Sequence, residues 1–135
     1  MTSSREQGPP SYFSDSGNES KSASSWKTTE MGWNIVSWGM YKLLKWIDEV
    51  YHPDGGILIT ENGCASQDSP TPDGDVIDDM RLKYLTEYIS QVGLAVNDGI
   101  NVRGYYAWSL MDNFEWSFGY TKRFGLYYVD YETMG

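Results

Sequence analysis

The sequence predicts an α/β fold built on parallel strands, and three observations carry that expectation. The run Ile57-Leu58-Ile59-Thr60 is short, unbroken, apolar and largely β-branched, the pattern of a strand covered on both faces. A second strand-like run spans roughly Val102 to Ser109. Between them Leu82, Leu85, Ile89, Val92 and Val96 recur at three- and four-residue steps, which predicts a long amphipathic helix ending near Val96. Strand, helix and strand in this order, with connections of this length, imply two parallel neighbours joined by a right-handed crossover. Two parallel strands alone cannot form a sheet covered on both faces, so the expected fold is part of something larger.

The remaining elements follow in order. Met1 to Ser25 is rich in Ser, Gly and Pro and reads as a polar lead-in without regular structure, leaving residues 26–135 as the folded part. Gly32 to Trp38 is aromatic but shows no period. A helix is expected from about Gly39 to Tyr51, with Leu43, Leu44, Ile47 and Val50 on one face. The breaker cluster His52-Pro53-Asp54-Gly55-Gly56 ends it. After the first strand, Asn62-Gly63 predicts a sharp turn through positive φ angles, and Ser66 to Gly74 a polar loop. Asp75, Asp78 and Asp79 stand where a helix amino end favours negative charge, and Asn97-Asp98-Gly99 stops the helix. Tyr127 to Tyr131 is expected to form a short closing strand.

Composition narrows the partner. A formal net charge of −9 argues against a phosphate-backbone partner and against an anionic membrane surface, so neither nucleic acid nor membrane is expected. Aromatic residues make up 16% of the chain, with six Trp and eleven Tyr, and flat rings with polar tips suit the gripping of a neutral ligand. Cys64 is the only cysteine, which rules out a disulfide within the chain. A reducing compartment is compatible with this, and the lack of an apolar signal-like segment favours the cytoplasm over export. No run of about 18 apolar residues occurs.

Two clusters carry candidate chemistry. Glu61 stands at the carboxyl end of the first strand, where α/β proteins place reacting groups. A carboxylate there can act as nucleophile, general base or metal ligand, or it can simply face water. After the second strand, Trp108-Ser109-Leu110-Met111-Asp112-Asn113-Phe114-Glu115-Trp116 mixes stacking faces with hydrogen-bond acceptors. Neutral carbohydrate needs that mixture, with C–H faces on an indole and paired hydroxyls donating to carboxylates. Two core tryptophans above a solvated acidic loop would read the same way. Asp112 and Glu115 lack the histidine or second acidic pair that metal ligation calls for, so no metal or cofactor is expected.

Ile59-Thr60-Glu61-Asn62-Gly63, Gly104 to Trp116, Gly119-Tyr120 and Arg123-Phe124-Gly125 together resemble the C-terminal part of glycoside hydrolase family 1, the β-glucosidases and their relatives. Met31-Gly32-Trp33 and Gly39 to Leu44 resemble the family's helix before the nucleophile strand. The likeness runs from about Ser24 to Tyr131. It implies the C-terminal portion of a (β/α)8 barrel, here the seventh strand, the following helix and the eighth strand, out of the about 250 residues such barrels need.

The resemblance also implies roles. Glu61 matches the catalytic nucleophile of retaining hydrolysis, which pairs two carboxyl groups about 5–5.5 Å apart. Glu115 matches the residue binding the 4- and 6-hydroxyls of the sugar, Trp108 the platform beneath the ring, Trp116 an indole donor to a hydroxyl, and Phe124 an aromatic wall near the 6-position. The family's acid/base glutamate lies in an Asn-Glu-Pro motif that does not occur in this chain. Family members acting on phosphorylated sugars carry a Ser and a Lys in place of the Glu115-Trp116 stretch. The implied function is therefore part of a retaining β-glucosidase acting on terminal β-D-glucosyl or related residues, with a β-glycoside or oligosaccharide as partner and inactive in isolation. A non-hydrolytic or thioglucosidase-like relative is the alternative. Ser37-Trp38 and Tyr88 depart from the family's common Pro-Glu and His and are expected to affect packing only. His52 reads as a surface loop residue and Cys64 as structural.

Overall fold

A computed structural model describes residues 22–66 and 70–133. Most of the expected polar lead-in, residues 1–21, lies outside the described residues, as does the middle of the Ser66–Gly74 loop. Among the described residues the first element is a small antiparallel ribbon of β1 (Lys27–Thr28) and β2 (Asn34–Ile35). Helix α1 (Trp38–Tyr51), strand β3 (Ile57–Asn62), helix α2 (Asp79–Asn97) and strand β4 (Val102–Ala107) follow, and a 3-10 turn at Trp116–Phe118 lies in the long final loop. Strands β3 and β4 pair in parallel, with Ile57 opposite Val102 and Ile59 opposite Tyr105. The α/β reading with a parallel pair holds, and the described residues contain no closed barrel.

Helices α1 and α2 pack on one face of the pair. Leu44, Ile57, Val92, Ala95 and Ile100 are buried together, with Met40, Ile47, Ile59 and Tyr105 packed around them. Asp78 caps α2, its carboxylate accepting from the Arg81 amide. Gly99, at φ +90°, follows the helix end, as the Asn97-Asp98-Gly99 pattern predicts.

Four expectations need correction. Strand β3 is covered on one face only: Ile57 is buried, whereas Leu58 is 56% exposed on the face away from the helices. Helix α2 buries Arg81, Tyr84, Tyr88, Val92 and Ala95, a face rotated by about one residue, roughly 100°, from the apolar stripe; Leu82, Ile89 and Val96 are exposed. On α1 the inward side chains are Leu44 and Ile47, while Leu43 and Val50 face outward. Tyr127–Tyr131 forms no strand: pairing stops at a single parallel bridge between Tyr127 and Met111, and at Val129 the Asp112 carboxylate accepts from the amide while Arg123 donates to the carbonyl, so side chains take the groups a neighbouring strand would have used. The ribbon β1–β2 was not foreseen. Its strands are two residues long, too short to show a period.

Candidate active-site cleft

The carboxyl ends of β3 and β4 open into a cleft of about 390 Å³. Glu61, Trp108, Glu115, Trp116 and Phe124 all line it. Glu61 reaches it through a break in strand register. Ile57 and Ile59 face the helices, and strict alternation would put Glu61 on that side too. Pairing is irregular between Ile59 and Asn62, and it is Asn62 that turns toward α2 while Glu61 lines the cleft. A register irregularity that re-aims a side chain beside a site is a recurrent use of such breaks.

Asn62 is held from both sides. The Tyr105 hydroxyl donates to its Oδ1 at 2.8 Å, and its Nδ2 donates to the Tyr84 hydroxyl oxygen at 3.0 Å. Burial pushes the Tyr105 hydroxyl up to about 12, with Cys64 and Tyr88 adding to the shift. Burial likewise raises Tyr84, helped by Tyr88. The residue after Glu61 is thus anchored by two phenols that stay neutral. Tyr84 stacks on Tyr88 with ring centroids 4.1 Å apart, and the Tyr88 hydroxyl accepts from the Val36 amide at 2.9 Å. Tyr88 is itself buried with Cys64 and Tyr84 and does not line the cleft.

Gly63 is required for a different reason from the turn geometry expected of Asn62-Gly63. Its φ is not positive, and a Cβ on it would lie 1.8 Å from the Trp108 carbonyl oxygen. The two strand ends touch here, backbone to backbone, and the Trp108 amide donates to the Asn62 carbonyl at 2.9 Å. That contact brings Trp108 beside Glu61. The Trp108–Ser109 peptide bond is cis.

The loop after β4 carries Glu115 and Trp116 back over the strand ends. Trp116 is 78% exposed and has φ +44°. Phe124 is buried and packs against Trp33, ring centroids 6.2 Å apart. Trp33, Asn62, Gly63 and Tyr84 complete the lining and were not singled out as site residues from the sequence. Trp33 follows Gly32, whose φ of +77° marks a tight turn, and a Gly-Trp pair in an aperiodic aromatic stretch was the signal available. The lining as described holds two carboxylates and no cation; Lys122, two positions before Phe124, is paired with Glu30 at 2.7 Å.

The sequence model for glycosyl hydrolase family 1 matches residues 1–134. The chain belongs to that family. It is 50% identical over 105 residues to a 1,4-beta-D-glucan glucohydrolase of Thermotoga neapolitana, covering 78% of this chain and 24% of the relative. Beta-glucosidase A of Thermotoga maritima is also 50% identical over 105 residues, with coverage of 78% and 23%. The solved beta-glucosidase from Thermotoga maritima superposes with a TM-score of 0.81 at 46% identity, over 84% of this chain and 26% of that one, and has also been solved in complex with deoxynojirimycin. The chain thus spans about a quarter of the length of the curated relatives it matches.

Proposed function

We propose that this chain supplies the nucleophile and the sugar-binding wall of a retaining β-glucosidase. One observation supports this above the rest: Glu61, Glu115, Trp108, Trp116 and Phe124, drawn from two strand ends and a long loop, line a single cleft. In this reading β3 and β4 are the seventh and eighth strands of a (β/α)8 barrel, and residues 26–135 are its C-terminal part. The site then sits at the carboxyl ends of the strands, where such barrels carry their chemistry.

The Glu61 carboxylate attacks the anomeric carbon as the bond to the aglycone oxygen breaks. That oxygen takes a proton from an acid contributed by barrel residues other than these. Water then displaces Glu61 from the glycosyl-enzyme, with the same acid now acting as base. Trp108 carries the sugar ring, Glu115 accepts from hydroxyls at the far end, Trp116 donates to one of them, and Phe124 closes the wall. A carboxylate pair without a cation favours a neutral sugar over a phosphorylated one, which it would repel.

The test uses a complete barrel, made by joining this chain to the preceding residues of the Thermotoga maritima relative. An activated 2-deoxy-2-fluoro-β-glucoside should add one glycosyl unit to the intact mass, and digestion should place it on Glu61. Glu61→Gln should abolish both labelling and turnover. Label on another residue, or turnover surviving in the variant, refutes the assignment. Inhibitor binding without any turnover by the unaltered barrel would favour a non-hydrolytic relative.

A further inference from the structure

Phe124 is the most enclosed aromatic of the cleft, 3% exposed, and the segment that carries it is gripped by two buried charges of opposite sign. From α2, the Arg81 side chain, 2% exposed, donates through one guanidinium nitrogen to the Gly125 carbonyl and through the other to the Arg123 carbonyl at 3.4 Å. Its Nε lies 3.3 Å from the Asp78 carboxylate. From the loop after β4, the buried Asp112 carboxylate accepts from the Gly125 amide at 2.9 Å, the Val129 amide at 3.2 Å and the Arg123 guanidinium at 2.5 Å. Carbonyls of residues 123 and 125 are thus held by a cation on a helix, and the amide of 125 by an anion on a loop. The Phe124 carbonyl accepts from the Ser109 amide at 2.9 Å, which ties the same segment to the residue after Trp108.

The approach is close enough to exclude any side chain at position 125, where a Cβ would lie 2.2 Å from the Asp112 amide nitrogen. Asp112 lies three residues before Glu115, so one carboxylate fixes both the Phe124 segment and the start of the loop that presents Glu115. We propose that Arg81 and Asp112 are positioning residues that set the fit of the cleft around the hydroxymethyl end of the sugar. This rests on the glycosidase reading above, and neither residue touches the sugar: Phe124 and Glu115 do, and the clamp decides where they stand.

A clamp of this kind acts on discrimination more than on chemistry. In the complete barrel, kcat and KM are measured for a β-glucoside and for the β-xyloside, which lacks the hydroxymethyl group, with active sites counted by the fluoroglucoside label so that misfolded material drops out. Arg81→Lys keeps the charge beside Asp78, but a compact ammonium cannot span two carbonyls as the guanidinium fork does. The glucoside-to-xyloside ratio of kcat/KM should fall about tenfold, the size expected for one misplaced recognition contact, and the loss should appear in KM. Asp112→Asn, which keeps an acceptor for Gly125, should shift the ratio in the same direction by less. Equal losses on both substrates, or an unchanged ratio in both variants, overturn the clamp alone. An unaltered barrel that turns over neither substrate overturns the glycosidase reading and the clamp with it.

Discussion

The loop from Ser109 to Val129 and the outer faces of the two helices make opposite use of their residues. The loop has one 3-10 turn and otherwise no regular structure, yet its backbone and buried charges are densely paired: Asp112 with Arg123, Gly125 and Val129, Ser109 with Phe124, Leu126 with Ser109. The helices are regular, yet Leu43, Val50, Leu82, Ile89 and Val96 face outward with half or more of many side chains exposed. Regularity and order are therefore different properties here. The loop is ordered because specific polar groups meet, and the helices because their backbones satisfy themselves whatever their outer faces do. The proposed function follows the first kind of order, since Glu61, Trp108, Glu115, Trp116 and Phe124 all hang from a strand end or from the charge-held loop.

The largest effect is expected where that loop is tied. Asp112→Ala in the complete barrel removes the anion paired with the Arg123 guanidinium and the acceptor of two amides, and breaking one side of a buried pair costs about 3–5 kcal/mol. Chemical denaturation should show that loss. A cost below about 1 kcal/mol, the range of exposed ion pairs, would mean that the loop is held by its aromatic contacts and would erase the contrast drawn here.

Next comes Gly63→Ala. The added methyl collides with the Trp108 carbonyl, so β3 and β4 must part at the cleft, at a cost on the order of 3 kcal/mol, the upper range for overpacking. Because the strain falls between Glu61 and Trp108, fluoroglucoside labelling should slow even where the protein stays folded. Normal stability and labelling would show that the close approach is not needed.

A smaller effect should appear at alkaline pH, beneath the cleft. Tyr105 rises from 10.0 to about 12 on folding because burial disfavours the phenolate. Its contribution to stability is whole below pH 10 and is lost as pH climbs through about 12, since the unfolded chain ionises first. Tyr84 shifts in the same direction. Thermal midpoints measured at stepped pH should fall in this window, and Tyr105→Phe should flatten the fall. An equally steep decline in that variant would move the cause elsewhere.

What could be read in the sequence and what could not divides along the same line. The β3 and β4 strands, α2 between them and Glu61 at a strand end follow from local pattern, because apolar runs and breaker clusters act over a few residues. The five proposed site residues could be named from motifs, and the cleft brings them together. The parity change that turns Glu61 outward depends on how β3 meets β4, and no local pattern records it. Gly63 looked like a turn glycine, yet its constraint is the Trp108 carbonyl, 45 positions away. Arg81 in an amphipathic helix would ordinarily face water, and the distant carbonyls of 123 and 125, together with the Asp78 carboxylate, accompany its burial. The apolar stripe on α2 misled for the converse reason: Tyr84 and Tyr88 fill the inner face, while Leu82 and Ile89 remain outside.

The smallest stability change belongs to that stripe. Leu82 and Ile89 lie seven residues apart on one flank of α2 and are 68% and 48% exposed. Lysine matches leucine in helix propensity and exceeds isoleucine, so the double substitution Leu82→Lys with Ile89→Lys should leave helix content intact. Substitutions on an exposed face stay within about 0.5 kcal/mol. Removing two exposed apolar groups should instead reduce self-association of the 135-residue chain, seen as a smaller particle in light scattering at equal concentration and unchanged far-ultraviolet dichroism. Loss of helical signal would show that this flank is packed in the chain. The helices would then share the loop's dependence on specific contacts, and the distinction between the two regions would vanish.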